Sequence, residues 1–356
     1  MFTLTAVKQL IKRNISVDLL CAEESRIHIE ANNLGLIVHP LKVSAFSIPT
    51  NILRLAALIR KNGYNVVHTQ ASFDLWLLVP ALKILGNTIP LLLTKQVGSF
   101  ITKKDFLHRW IYDRLTFAIA ISTLIKKNLL DTCPLTDDKI MLLHNGIDIN
   151  RFNPENADPQ KVRKEFGIEK NEILIGMMAR FSPGKGHEEF LNAAKVLNEK
   201  YSSLRFLVVG EASRGEDDYA AKIKKLADDY KLHDLVFTGF RSDTPEILAA
   251  MDIFVFPSHA EAFGIALAEA LAMGKPSVCS NADGVLDIAV DGETSLLCEN
   301  KYVDDLIRKV SLLIESPDLR KRFSLAARYR AVEHFDLEKL TDQVVDIYQS
   351  AIRKTN

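Results

Sequence analysis

Residues 257–274 read PSHAEAFGIALAEALAMG and follow the apolar run IFVF at Ile253–Phe256. Four consecutive apolar residues, one β-branched pair and two aromatics, predict a strand buried on both faces. Behind it Ala266, Leu267, Ala270 and Leu271 form an apolar stripe at helical spacing, with Gly264 near its start and Gly274 near its end. That pattern predicts a helix bounded by the two glycines. A helix that opens at the carboxyl end of a parallel strand is where an open α/β sheet binds ligands. Its free N–H groups and positive dipole end suit an anion such as a diphosphate. Glu261 and Glu269 bracket the opening. Eight residues apart, they do not share one helix face, and each can accept hydrogen bonds from sugar or ribose hydroxyls from its own side. Carboxylates near a helix start are also stabilised there without any ligand.

The same alternation of short apolar runs and helical runs fills the chain. In the second half, strands are expected at Ile173–Met178, Arg205–Gly210, Leu235–Gly239, Ser277–Ser280 and Ser295–Cys298. In the first half they are expected at Ser16–Cys21, Leu36–Leu41, Val66–Thr69, Ile89–Thr94, Ala118–Ser122 and Ile140–His144. Parallel sheets covered on both faces produce this pattern. The fold class is therefore α/β, with two Rossmann-like, doubly wound parallel-sheet domains facing a cleft. The first half opens with the helical run FTLTAVKQLIKR where such a domain normally opens with a strand, so its first strand is expected to be missing. The polar, proline-containing segment NRFNPENADPQ at Asn150–Gln160 reads as a hinge. It sets domains at 1–150 and 151–336, with a helix at about 337–356 able to pack back on the first.

The 356 residues suit two domains. Hydrophobic content of 47% and charged content of 25% exclude a disordered chain. No apolar run approaches the ~20 residues of a membrane helix, and Lys8, Lys12 and Arg13 interrupt any leader-like start. Four cysteines without CxxC spacing read as reduced residues of a cytoplasmic protein. Net charge is zero, but residues 1–150 carry 17 Lys and Arg against 11 Asp and Glu. This asymmetry fits chance or a basic half that meets something anionic, such as a membrane surface or an acidic acceptor. Balanced charge and the lack of a reading module argue against nucleic acid.

Other segments carry candidate chemistry. Arg180-Phe-Ser-Pro-Gly-Lys185-Gly186 follows an expected strand, and its Pro-Gly turn brings two cations to the sheet's carboxyl edge. They could neutralise a diphosphate, although a solvated turn with ordinary surface charges explains the run as simply. Glu211, Phe240 and Arg241 end neighbouring strands; the aromatic and guanidinium could frame a nucleotide base. His68, His144 and His259 stand apart without metal-ligand spacing, so no metal site and no cofactor are expected. Residues 100–117, FITKKDFLHRWIYDRLTF, interleave aromatics with Lys and Arg. They suit either a membrane surface or an amphipathic helix packed on its own domain.

Taken together, these motifs resemble family 4 glycosyltransferases of GT-B fold. Glu261 to Glu269, EAFGIALAE, matches that family's E-x7-E motif, and ARFSPGKGHEE is similar to its GRLxxxKG segment. HNGID at His144–Asp148 with Phe152 resembles NGVDxxxF, and ADGVLDIAVDG at Ala282–Gly292 resembles GGxPEIVxDG. The resemblance implies metal-independent transfer of a sugar from a nucleotide donor such as a UDP-sugar, with retained anomeric configuration. The acceptor it implies is a polysaccharide or glycolipid of the cell envelope. Arg180, Lys185 and Glu261 would be catalytic, the first two on the diphosphate and Glu261 facing the donor sugar. Glu211, Phe240, Arg241, Phe263, Gly264, Ile265 and Glu269 would bind donor, Glu269 through ribose hydroxyls. The family often has T-x-H at the end of a first-domain strand; here Thr94-Lys95-Gln96 stands there. Gln96 is the acceptor-side candidate and cannot titrate near neutral pH. The setting implied is cytoplasmic, with peripheral contact at the inner membrane face. An epimerase of the same architecture and a truncated, non-catalytic nucleotide-sugar binder are the alternatives.

Overall fold

The computed structural model describes residues 2–42 and 48–355. The chain forms two compact units, Met1–His144 with Glu338–Asn356, and Asn145–Leu337. The division falls six residues before the expected 150/151 boundary, for a backbone reason. Ile147 donates to Phe335 O at 2.7 Å and accepts from Leu337 N at 2.9 Å, and Arg328 donates to the carbonyls of Ile149 and Phe152. Asn145–Phe152 is thereby stitched into the second unit. The expected hinge segment Asn150–Gln160 holds only the 3-10 turn Pro154–Asn156 before the helix Pro159–Glu165, whose N-cap Asp158 accepts from Gln160 N. Asp followed by Pro at the first helical position is a legible start signal.

The second unit holds β7 (Ile173–Met178), β8 (Leu204–Val209), β9 (Leu235–Gly239), β10 (Ile253–Phe256), β11 (Ser277–Ser280) and β12 (Ser295–Cys298), numbered in chain order after the six strands of the first unit. All are parallel, in the order β12-β11-β10-β7-β8-β9. This is the doubly wound arrangement. The chain runs outward from β7 to β8 and β9, then returns to β10 on the other side of β7. β7 and β10 are thus neighbours whose following connections depart to opposite sides, which defines the crevice where such sheets bind ligands. The central strands are apolar throughout because helices cover both faces. Phe190, Leu191, Phe206, Val208, Ile223, Ile253 and Phe323 form part of that core.

The first unit contains β1 (Asp18–Ala22), β2 (Ile37–Leu41), β3 (Val67–Thr69), β4 (Leu91–Lys95), β5 (Phe117–Ala120) and β6 (Ile140–Leu142). They are parallel but form two sheets, β1-β2 and β3-β4-β5-β6. A helix, Phe2–Lys12, precedes β1. The apolar run at 75–85 is the helix Leu75–Ile84, with Pro80 inside it. The expected strand end at Ser122 lies two residues beyond β5, because the Ser122 hydroxyl caps the next helix by accepting from Ile125 N. All four cysteines are free, three of them buried and Cys21 half-buried.

The terminal helix Leu337–Thr355 lies on the sheet of the first unit, where Leu340 and Ala351 join Leu92, Phe117 and Ile119 in one apolar cluster. Its anchor is polar. His68 Nδ1 lies 2.7 Å from the Tyr348 hydroxyl and Nε2 lies 2.8 Å from Thr94 Oγ1. Burial holds His68 neutral, its pKa lowered to about 4. A neutral imidazole with both nitrogens engaged is a satisfied core group. Tyr348→Phe should therefore strip one partner from a buried ring and lower stability by about 1–2 kcal/mol, measured by urea denaturation. An unchanged midpoint would show that the hydroxyl contributes nothing.

Candidate functional site

The loops that follow β7 and β10 meet at the crevice. Gly186 has φ +82°, and a Cβ on it would lie 2.2 Å from Pro257 O, so only glycine fits this backbone crossing. His259 N donates to Gly184 O at 2.8 Å, and the Ser258 hydroxyl also donates to Gly184 O. Ser280 Oγ, at the end of β11, donates to Ser258 O at 2.5 Å. His259 Nε2 lies 2.7 Å from Glu189 Oε1, in the first turn of the helix His187–Lys200. Asn300 Nδ2 donates to His259 O. Backbone and side-chain bonds therefore hold the two loops as one piece.

That crossing places Lys185 Nζ 2.6 Å from Glu261 Oε1, with side chains only 21% and 15% exposed. Ser258 Oγ donates to the same carboxylate oxygen at 3.0 Å. Two groups expected to reach a ligand separately are thus ion-paired in this state. Three residues further on, Gly264 takes φ +109° as the N-cap of the helix Ile265–Ala272, with no side chain capping it. The first amides of that helix are left open at its positive end. Glu269 lies one turn in. Its carboxylate makes no hydrogen bond within the unit, and burial raises its pKa from 4.5 to about 7, opposed by the positive charge of Arg151.

The remaining expected residues divide. Arg180 is exposed, and its guanidinium donates to Ser213 Oγ at 3.2 Å. Glu211 accepts the Phe181 N–H through its carbonyl, and its side chain is exposed at the same sheet edge. Phe240 stands exposed just past β9. Arg241, however, is spent within the protein. It makes two bonds to Glu165 and two to Asp243, which raise its pKa further. It buttresses the β9 loop rather than framing a base. Phe263 is buried edge-on against Phe335, ring centroids 5.8 Å apart, so its side chain serves the core. Gln96 immediately follows β4 in the first unit. Among the described residues no group of three or more His, Cys, Asp or Glu could hold a metal ion.

Glu189, Ser258 and Arg151 belong to the site's framework and were not singled out by sequence. The run Lys185-Gly-His-Glu-Glu189 held the only signal for Glu189, an acidic first helical turn that the dipole alone explains. Arg151 comes from the 150–160 segment read as hinge. His259 is a satisfied structural histidine, as its isolation in sequence implied.

The arrangement can bind a dianion between an ammonium and a helix N-terminus, with carboxylates beside it to accept hydroxyl hydrogen bonds. Two family descriptions match the chain. "Glycosyltransferase Family 4" matches residues 1–151 and "Glycosyl transferases group 1" matches residues 158–330. The capsular polysaccharide biosynthesis glycosyltransferase CapM of Staphylococcus aureus is 22% identical, over 98% of this chain and 93% of its own. An Escherichia coli UDP-Gal:alpha-D-GlcNAc-diphosphoundecaprenol alpha-1,3-galactosyltransferase is 26% identical, over 93% and 90%. A solved glycosyltransferase structure from Rickettsia africae ESF-5 superposes with TM-score 0.91 at 22% identity, covering 99% of this chain and 94% of that one.

Two predictions follow from this geometry. Gly186→Ala should lower the stability of the second unit by about 2–4 kcal/mol, read by calorimetry; a neutral effect would mean that the loops do not cross as described. For Glu269 the sign is set by its raised pKa. Ionisation opposes folding, with no penalty below its ordinary 4.5, a growing one up to about pH 7 and the full one above that. Glu269→Gln should therefore stabilise the unliganded protein by roughly 1–3 kcal/mol at pH 8 and hardly at all near pH 4. A variant less stable than wild type at pH 8 would contradict this.

Proposed function

Because the chain belongs to the family 4 glycosyltransferases of GT-B fold, we propose that it moves a sugar from a nucleotide diphosphate, a UDP-sugar, to a lipid-linked or saccharide acceptor of the cell envelope, with retention at the anomeric carbon. The carrying observation is the Lys185–Glu261 pair beside the uncapped helix at Gly264, set at the crevice between β7 and β10. The Escherichia coli relative supports the substrate class, since its name joins a UDP-sugar donor to a diphosphoundecaprenol-linked acceptor.

The donor diphosphate sits against the Gly264 and Ile265 amides and draws Lys185 toward it, with Arg180 free to close from the exposed side. Glu261, released from Lys185, accepts from a donor-sugar hydroxyl. Glu269, ionised, accepts from the ribose hydroxyls. As the bond between the anomeric carbon and the phosphate oxygen breaks, negative charge grows on the leaving diphosphate. Fixed cations and amide dipoles meet it there, and this differential stabilisation is the catalysis. The acceptor oxygen attacks from the same face and its proton passes to the departing phosphate, so no protein nucleophile is required. Charge neutralisation rests on Lys185, Arg180 and the amides, so turnover should persist in EDTA. The reaction is placed in the cytoplasm, at the inner membrane face.

The test is incubation with UDP-hexoses, with and without a polyprenyl-diphosphate-sugar acceptor, followed by NMR of the new linkage. Transfer with retained configuration is expected, and Lys185→Ala should reduce kcat/KM by about 10²–10³. An isomerised nucleotide sugar without acceptor product would instead identify an epimerase.

A further inference from the structure

Immediately after Gln96 the first unit turns its apolar side chains outward. Phe100 is fully exposed (105% of its reference area), Phe106 78% and Ile101 70%, with Val97 and Leu107 also exposed. Five large exposed apolar residues within eleven positions form a display beyond the scattered singles of ordinary surfaces. Their backbone is fastened. Asn128 Oδ1 accepts from Ser99 N at 2.7 Å, Asn128 Nδ2 donates to Ser99 O, and Lys103 N donates to Thr132 O. Asp105 caps the helix Phe106–Tyr112, and Arg109 Nε donates to Lys104 O at 2.9 Å. The loop is thus held at its base while its apolar side chains face water.

The charge around it selects the partner. From Lys95 to Lys127 the chain has seven Lys and Arg against two Asp and no Glu. Lys103 and Lys104 stand between Ile101 and Phe106, and Lys83 Nζ lies 4.1 Å from the centre of the Trp110 ring. Protein–protein interface cores are depleted of lysine. Aromatics set among lysines instead match the boundary between anionic headgroups and acyl chains. No helix among the described residues is long and apolar enough to cross a membrane.

We propose that residues 97–110 are a bilayer-docking surface. Phe100, Ile101 and Phe106 enter the headgroup–acyl boundary of an anionic leaflet, and Lys103, Lys104 and Arg109 engage its phosphates. Gln96, at the end of β4, is the residue just before the loop, so docking brings the membrane surface beside the edge of the unit expected to receive the acceptor. This goes beyond the donor-site reading and uses the first unit alone.

Co-sedimentation of the full chain with phosphatidylcholine vesicles, with and without phosphatidylglycerol, tests it without donor or turnover. Binding to the anionic vesicles that weakens with salt is expected. Phe100→Ser/Ile101→Ser/Phe106→Ser should weaken it at least about tenfold with an unchanged melting temperature, since all three side chains are already in water. Lys103→Glu/Lys104→Glu should remove the preference for anionic lipid. No binding by the wild type, undiminished binding by the triple variant, or a concentration-dependent dimer abolished by that variant without vesicle binding would each overturn the proposal.

Discussion

The second unit depends on a crossing of two loops. β7 and β10 are adjacent in the sheet, but the chains that leave them go opposite ways, and the crevice between them is closed at its base by Gly186 pressed on the Pro257 carbonyl. A side chain at 186 would part the loops. With none there, Lys185 arrives beside Glu261, and each supplies the countercharge that burial demands of the other. The two side chains are thereby joined to each other at 2.6 Å. In the proposed reaction a diphosphate takes over Lys185 while a sugar hydroxyl takes over Glu261, so neither is left unpaired. Glu269 is handled differently. It is partly buried with no hydrogen-bond partner within its unit, and desolvation raises its pKa to about 7 against the opposing charge of Arg151.

Much of the second unit was legible because parallel strands buried on both faces are near-continuous apolar runs. Five of its six strands, Ile173–Met178, Leu235–Gly239, Ile253–Phe256 beside the site, Ser277–Ser280 and Ser295–Cys298, carry the bounds expected from sequence. The first unit was read less sharply. Its strands are short, and Ser122 serves as a helix cap rather than a strand end. The 150–160 segment looked like a hinge because it is polar, yet its hydrogen bonds run to a helix far along the chain, a pairing that local composition does not encode.

Side-chain partnership was the least readable layer. The sequence places Arg241 beside Phe240 at a ligand-facing edge, but Glu165 and Asp243 claim its guanidinium. Phe263 sits inside the motif and turns to Phe335. The Lys185–Glu261 pair spans 76 residues and is visible only when β7 and β10 are brought together. The 100–117 stretch had two readings, membrane surface or a packed amphipathic helix. The packed-helix reading holds for Ile111 and Tyr112, which are buried, whereas Phe100, Ile101 and Phe106 are exposed.

The most direct measurement is a crystal structure with UDP bound. The diphosphate should lie within hydrogen-bonding distance of the Gly264 and Ile265 amides and of Lys185 Nζ, with Lys185 drawn off Glu261 and the ribose on Glu269. A nucleotide seated elsewhere, with the Lys185–Glu261 bond intact and the helix tip empty, would contradict the account.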